Sequence, residues 1–183
     1  MANWAWGTVQ VTGKKDNIRN FMIDCFVWDD EQGQDKGVKY FARSFINGSR
    51  EYLLNRLNEE SKRIKDDKET VFEFNVEFAW SATGCIMPYG TYVSRYEDTC
   101  LDLPTACIKY DVEVEVWTEE NGECFEEHIH CDSNGHILID ETREMDYYIC
   151  KNCYNEQYFS SSEEEFLCYE CDKSGIENWT LEE

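Results

Sequence analysis

The chain has 183 residues, of which 42% are hydrophobic and 15% aromatic, so it can bury one sizeable core and a small appendage. Its formal net charge of −22 disfavours direct binding to nucleic acids and membrane surfaces, which are negative themselves, and favours a basic protein partner. The sequence has no run of ~20 apolar residues and no signal-peptide pattern at its start, so we expect a cytoplasmic protein without a membrane span.

The negative charge is unevenly distributed. Residues 1–68 contain 12 Lys and Arg against 11 Asp and Glu, whereas residues 69–183 contain 5 against 28. Nearly all of the electrostatic field therefore comes from the C-terminal two-thirds of the chain.

The first third of the chain predicts a strand and a helix, and then the same pair again. Residues 6–13 alternate apolar and polar side chains and end at a glycine, as in a strand that enters a turn. Residues 16–28 place apolar side chains three and four positions apart, which indicates a buried helix face. Residues 38–46 predict a second strand, and Ser49 is a favourable N-cap for a second helix. The residues expected on the buried helix faces are Ile18, Phe21, Met22, Cys25 and Phe26, and then Tyr52, Leu53, Leu57 and Ile64.

The rest of the main domain is predicted to be mostly β-structure. Residues 69–80 alternate between large apolar and polar side chains, residues 81–96 predict a loop with a short helical turn, and the pattern becomes β again from Ala106. Strands over residues 109–117, 124–131 and 136–140, joined by Asn-Gly turns, predict an antiparallel meander.

Two of these strands carry an acidic row on one side and an apolar row on the other. This pattern is typical of an antiparallel sheet covered by helices on one face, so we predict an α+β fold with a flat, acidic open face. An ordinary solvated surface that resists aggregation is the alternative interpretation of these charges. The carboxylates assigned to the contact surface for a basic partner are Glu73, Glu77, Asp111, Glu113, Glu115, Glu119 and Glu120.

The ten cysteines occur without a secretory signal, so we expect them to be reduced. Four of them form two Cys-X-X-Cys pairs, Cys150 with Cys153 and Cys168 with Cys171. Each pair can present two thiolates from one tight turn, and two such turns complete a tetrahedral zinc site. Four thiolates leave no open position for a substrate, so the predicted zinc is structural. We therefore divide the chain into a main domain, residues 1–145, and a zinc-ribbon tail, residues 146–183.

Other chemistry stays open at three places. The Cys-X-X-Cys pairs are alternatively redox-active or unrelated to each other, although no thioredoxin-like context surrounds them. His128 and His130 fall on one side of a strand and are candidate ligands of a second metal ion, with cysteines nearby. Cys124 or Cys85 with His136 is a conceivable nucleophile and base. Because the usual catalytic motifs are absent from the sequence, we expect that the protein is not an enzyme.

Three blocks of the sequence form a further pattern: MANWAWGTVQVTG over residues 1–13, FAWS over residues 78–81, and the turn-rich strands over residues 124–137. Together they resemble the YubB ferredoxin-like domain family of plasmids, phages and other mobile elements. Family members open with Met-Pro-Asn-Trp and an Asn-led strand, whereas this chain has Ala2 and Gly7 at those positions. The resemblance covers residues 1–140 in scattered blocks and implies a ferredoxin-like α+β fold and a mobile-element origin. It implies no catalytic residues, and the cysteine tail lies outside it.

These observations lead to one functional hypothesis and one alternative. The hypothesis is an acidic phage or plasmid inhibitor of a host defence nuclease, of the anti-CRISPR or anti-restriction type, which fills a basic nucleic-acid channel as a DNA mimic. It acts by stoichiometric protein binding in the bacterial cytoplasm. The alternative is a zinc-ribbon adaptor that joins proteins of a mobile element, with its acidity serving solubility. The aromatic residues expected on the adaptor's contact surface are Tyr147, Tyr148, Tyr154, Tyr158, Phe159 and Trp179.

Overall fold

The computed structural model describes residues 3–28, 40–63, 69–95, 98–160, 167–171 and 174–181. Its helices are α1 Lys15–Cys25, α2 Arg50–Ser61, α3 Ala82–Ile86, α4 Thr91–Arg95 and α5 Leu103–Tyr110. Its strands are β1 Trp4–Gly13, β2 Val27–Trp28, β3 Ser44–Ile46, β4 Thr70–Ala79, β5 Val112–Glu120, β6 Phe125–Cys131, β7 Ile137–Cys150, β8 Glu156–Ser160 and β9 Trp179–Leu181. None of the helices in these described ranges has the length and apolar character needed to cross a bilayer.

The strands form one mixed sheet in the order β2-β3-β4-β1-β5-β6-β7-β8, with β9 paired to β7. β1 is antiparallel to both of its neighbours, β4 and β5, while the short β2 is parallel to β3. The strands β5, β6 and β7 form the predicted antiparallel meander, and the predicted α+β class is confirmed. The prediction of a flat face is wrong, because the twisted sheet curls into a half-barrel.

Two connections in this sheet skip a neighbouring strand. The chain leaves β1, forms α1 and reaches β3 on the far side of β4, so β1 and β3 are both antiparallel to β4. It then leaves β4 through α3, α4 and α5 and reaches β5 on the far side of β1. Helices α1 and α5 contact each other, and their buried faces belong to one hydrophobic core against the sheet.

The main core confirms the periodicities of β4 and α1. In β4, Phe72 and Phe74 are buried, whereas Glu73 between them is exposed. The ring of Phe26 meets Phe41 and Phe74 edge-on at centroid distances of 5.2 and 5.5 Å. The buried residues of α1 are those of its predicted apolar face, Ile18, Phe21, Met22 and Cys25.

The second strand and second helix are partly as predicted. Within residues 40–46, the described part of the predicted strand 38–46, only residues 44–46 belong to a strand. Ser49 caps α2, because its hydroxyl accepts a hydrogen bond from the Tyr52 N–H at 3.5 Å. Leu53 and Leu57 are buried as expected, Tyr52 is exposed, and Ile64 lies outside the described residues.

The prediction of β-structure from Ala106 is wrong, because residues 103–110 form helix α5. Asp102 caps this helix, with Oδ1 accepting a hydrogen bond from the Thr105 N–H at 2.8 Å, and Pro104 lies in the first turn. Asp111 ends it in the left-handed conformation, with φ of 51°. The following strand therefore begins at Val112, three residues later than predicted.

A second, smaller core lies in the tail, where Cys150, Phe159, Cys168 and Trp179 are buried together. Strand β7 continues to Cys150 instead of ending at residue 140, because β6 pairs with its first half and β8 and β9 with its second. It therefore runs through the predicted boundary between residues 145 and 146 and connects the two cores.

Candidate metal centre and sheet face

The four tail cysteines lie together. Their Sγ atoms are all within 4.8 Å of one another. The Sγ atoms of Cys150 and Cys171 are 3.7 Å apart, and those of Cys153 and Cys168 are 3.5 Å apart. Metal–sulfur bonds of ~2.3 Å in a tetrahedral shell place sulfur atoms ~3.8 Å apart, so the four thiols fit one metal ion. No oxygen or nitrogen ligand is required to complete that shell.

The first cysteine pair is positioned by a tight turn at the end of β7. The Tyr154 N–H donates to the Cys150 carbonyl at 2.8 Å, and the Cys150 N–H donates to the Asn155 carbonyl at 2.9 Å. Tyr154 has a φ of 61°, a left-handed conformation that turns the chain back toward β8. The Phe159 and Trp179 rings pack edge-to-face at a centroid distance of 4.7 Å in the core that also contains the buried cysteines.

The electrostatics of the pair favour a thiolate at Cys150. Burial raises the pKa of its thiol, but hydrogen bonds from the Asn152 and Cys153 N–H groups and from the Cys168 and Cys171 thiols together outweigh burial, and the pKa falls from 9.0 to about 6. The Asn155 N–H lowers the pKa of Cys153, but burial and the Cys168 and Cys150 thiols together raise it by more, so its pKa is raised overall. One ligand is therefore already ionised at neutral pH, as metal binding requires.

The second candidate site is the open face of the sheet, opposite the helices. The carboxylates on this face in the described strands are Glu73 and Glu77 of β4, Glu113, Glu115 and Glu119 of β5, Glu126 of β6 and Glu141 of β7. In the cross-strand register, Trp6 of β1 lies directly between Glu77 and Glu119. Among the described residues, the side chains of Glu73, Glu77 and Glu119 have no hydrogen bond or ion pair.

Two of the predicted carboxylates are hydrogen-bonded to histidines on the same face. Nε2 of His128 donates to Oε1 of Glu115, and Nε2 of His130 donates to Oε1 of Glu113, both at 2.8 Å. The prediction that both histidines share one side of β6 is confirmed, while Cys131 is buried on the other side. In the described part of the chain, only the four tail cysteines form a cluster of three or more metal-binding side chains.

Two of the predicted contact residues lie off the open face. Glu120 is only 2% exposed, because its side chain turns to the core side of β5 and accepts hydrogen bonds from the Gly122 and Glu123 N–H groups of the hairpin turn. It is therefore wrong to count Glu120 among the accessible carboxylates. Asp111 is exposed, but it belongs to the turn that ends α5 and lies 3.4 Å from Nδ2 of Asn17.

The curl of the sheet turns the open face into a groove, which sequence reasoning missed. The groove has a volume of about 750 Å³ and is lined by residues of β1, β4, β5, β6 and β7. Its walls carry the indoles of Trp6 and Trp117, which are 54% and 36% exposed. The exposed tryptophans at open-face positions of alternating strands were the available signal, but their position in a concavity depends on the curl.

The two candidate nucleophiles, Cys85 and Cys124, and the candidate base, His136, each form hydrogen bonds with other groups. Burial raises the pKa of Cys85 to about 12, and its thiol donates to the Ala79 carbonyl at 3.4 Å. Cys124 lies in the hairpin turn after β5, where its thiol donates a hydrogen bond to the Asn121 carbonyl at 3.5 Å. His136 is exposed in the β6–β7 turn, where Nδ1 donates to the Asp132 carboxylate at 3.0 Å.

Comparisons of this chain with protein-family models, with curated proteins and with solved structures find no match.

Proposed function

We propose that this protein is a stoichiometric inhibitor that binds the basic nucleic-acid-binding surface of a host defence nuclease. The observation that carries the proposal is a set of open-face carboxylates without a hydrogen bond or ion pair to a described residue: Glu73 and Glu77 of β4 and Glu119 of β5, on either side of β1. A nuclease channel lined with Lys and Arg is complementary to such a face, and the complex needs no catalysis by the inhibitor. The target is a Cas nuclease or a restriction enzyme, met in the bacterial cytoplasm.

The proposed contact uses only some of the acidic residues on the open face. Because His128 and His130 occupy Glu115 and Glu113 with hydrogen bonds, the carboxylates left without such a partner lie on β4 and at the end of β5. Glu119 of β5 lies directly opposite Glu126 of β6, and like charges on adjacent strands cost stability, so this part of the surface is retained against a local penalty. Binding of a positive surface relieves that penalty.

The proposal includes a ferredoxin-like arrangement for the main domain and a mobile-element origin. Two connections skip a strand. In the first, β1 and β3 lie on either side of β4; in the second, β4 and β5 lie on either side of β1. Ferredoxin-like domains are built on split β-α-β units, in which a crossover skips one strand, so this strand order supports the proposal. The resemblance to plasmid and phage proteins supports the same assignment.

We propose zinc as the ion of the tail. Four cysteine thiolates without carboxylate or imidazole are a ligand set that suits zinc, and the sulfur separations fit its tetrahedral shell. Bound zinc supplies folding free energy to the tail and no reaction, because the four sulfurs fill its coordination shell.

The decisive experiment is inhibition of cleavage by a panel of Cas nucleases and restriction enzymes, with the wild type and a triple variant Glu73→Lys, Glu77→Lys, Glu119→Lys. Inhibition of one nuclease is expected, with binding that weakens steeply as salt rises. The triple variant loses at least about tenfold in affinity. The matched control is Asp16→Lys, Glu51→Lys, Glu59→Lys, which changes the net charge equally at exposed positions of α1 and α2. Equal loss in both variants contradicts the proposal.

The adaptor function is a second candidate, because Tyr154 and Tyr169 on the two cysteine knuckles are each 78% exposed. Phe159 and Trp179 do not belong to its contact surface, since both are buried in the tail core. If the protein is an adaptor, replacing Tyr154 and Tyr169 by Ser abolishes binding of its partner. If it is a nuclease inhibitor, the same replacement leaves inhibition intact.

A further inference from the structure

The groove of the open face contains a built aromatic wall that acidity alone does not explain. Trp6 and Trp117 lie diagonally across β1 and β5, since Trp117 pairs with Thr8 and Trp6 pairs with Glu119. Both indoles line the groove and are open to solvent. A surface that serves only solubility or long-range electrostatic attraction has no use for two exposed tryptophans, whose large apolar faces raise the risk of association.

One wall of the groove is held in place by a stack of side chains. The His128 ring lies on the Trp117 indole with a centroid distance of 5.2 Å and an angle of 15° between the planes. His128 is fixed in turn by Glu115, whose Oε1 is 2.8 Å from Nε2. The indole is thus oriented before any ligand arrives, which reduces the entropy lost on binding.

One guanidinium group of the chain itself, that of Arg143, already lies between two carboxylates of the groove. Arg143 of β7 lies with Nη2 at 2.6 Å from Glu141 and Nη1 at 3.8 Å from Glu126. Glu126 and Glu141 are therefore engaged within the chain. Glu77 and Glu119, on either side of Trp6, form no such pair with a described residue.

We propose that Trp6, Glu77 and Glu119 form a subsite for the side chain of an arginine on a basic segment of the partner protein. This inference rests on the proposed function and names the chemistry of its contact. Neighbouring strands are ~4.8 Å apart, so a planar cation stacked on the Trp6 indole reaches a carboxylate on each side. A guanidinium stacks on an aromatic face and pairs bidentately with carboxylates, whereas a lysine ammonium is a compact, strongly hydrated point charge. The subsite therefore prefers arginine to lysine.

The test uses the full chain and three synthetic nine-residue peptides of alternating glycine with arginine, lysine or citrulline, with affinities measured by calorimetry. The arginine peptide binds at least about fivefold more tightly than the lysine peptide, and the citrulline peptide does not bind measurably. Trp6→Ala lowers the affinity for the arginine peptide by about tenfold and removes the preference for the arginine peptide over the lysine peptide. Trp80→Ala is the matched control, because Trp80 is 41% exposed and is not among the residues that line the groove.

A charge-matched pair separates the subsite from the general field. Glu119→Gln and Glu51→Gln each remove one negative charge. Only Glu119→Gln lowers the affinity for the arginine peptide more than the affinity for the lysine peptide. The wild type supplies an independent readout, since the indole N–H resonance of Trp6 shifts on titration with the arginine peptide and that of Trp80 does not. Equal affinity for both cationic peptides, or an unchanged Trp6 resonance, overturns the subsite. A nuclease that is inhibited equally by the wild type and Trp6→Ala also overturns it and leaves the proposed function standing.

Discussion

The buried carboxylate of Glu127 accepts a hydrogen bond from the backbone N–H of Ala82 at 2.6 Å, where the chain leaves β4 and begins α3. The same carboxylate accepts from the Thr83 N–H and the Thr118 hydroxyl, both at 3.0 Å. One acidic residue of β6 therefore attaches the first helix of the long β4–β5 connection to the sheet. Its neighbour Glu126 lies on the opposite face of the strand and faces the groove.

This arrangement predicts opposite behaviour for two adjacent glutamates. Glu127→Ala leaves buried N–H donors without an acceptor and lowers the free energy of unfolding by about 2–4 kcal/mol, whereas Glu126→Ala changes it by less than about 1 kcal/mol. Urea denaturation followed by far-UV circular dichroism measures both. Equal effects would show that the Glu127 contacts do not stabilise the fold.

Glu119 and Glu120 form a second neighbouring pair with different roles. Glu119→Lys weakens binding to the nuclease and leaves stability nearly unchanged, because its side chain is exposed on the open face. Glu120→Ala costs about 1–3 kcal/mol of stability, since the turn N–H groups of Gly122 and Glu123 lose their acceptor, and it leaves affinity unchanged. The measurements are thermal unfolding and a nuclease-inhibition titration, and a large loss of affinity in Glu120→Ala contradicts this division.

Removal of the metal is expected to unfold the tail and to leave the main core intact. The protein purified from cells carries about one zinc ion per chain, and chelation exposes Trp179 from its packed position beside Phe159. Zinc analysis and tryptophan fluorescence check this. Cys153→Ser abolishes zinc binding, while the control Cys124→Ser, in the β5–β6 turn, retains it. Full zinc occupancy in Cys153→Ser would exclude the four-thiolate site.

Zinc affinity is expected to fall as the pH is lowered, because protons compete with the metal for the thiolates. The raised pKa of Cys153 means that its proton must be released on binding at neutral pH, whereas Cys150, with a pKa of about 6, is largely ionised there. Below about pH 6, Cys150 is also protonated, so the dependence becomes steeper. Calorimetry in buffers of different ionisation enthalpy counts the protons released. An affinity that does not change with pH contradicts the assignment of thiolate ligands.

At Gly7, the backbone of β1 packs too closely against the backbone of β5 to leave room for a side chain. A Cβ atom added there would lie 1.8 Å from the Trp117 carbonyl oxygen, so Gly7→Ala must separate the two central strands. We expect a loss of several kcal/mol of stability, or an insoluble protein, whereas the control Thr8→Ala is mild because Thr8 faces the groove. A normal melting temperature for Gly7→Ala would show that the strands are not packed this closely.

The sequence determined the features that depend on local periodicity and spacing. Alternation in β4 and the three- and four-residue spacing in α1 predicted which side chains are buried, because a strand and a helix repeat with fixed periods. The two Cys-X-X-Cys pairs predicted the sulfur cluster for the same reason, since each tight turn brings two thiols together. The α5 helix was missed because an eight-residue apolar segment beside a valine-rich strand carries little periodic signal, although Asp102 and Pro104 mark its start.

Only the tertiary structure decided how the charges and aromatic rings are used. Strand register placed His128 and His130 against Glu115 and Glu113, and sequence spacing holds no information about that pairing. The turn geometry after β5 buried Glu120, and the curl of the sheet brought Trp6 and Trp117 into one groove. The two tryptophans are about 110 positions apart in the chain, and the His–Glu pairs lie on different strands, so both arrangements depend on strand pairing, which local patterns do not specify.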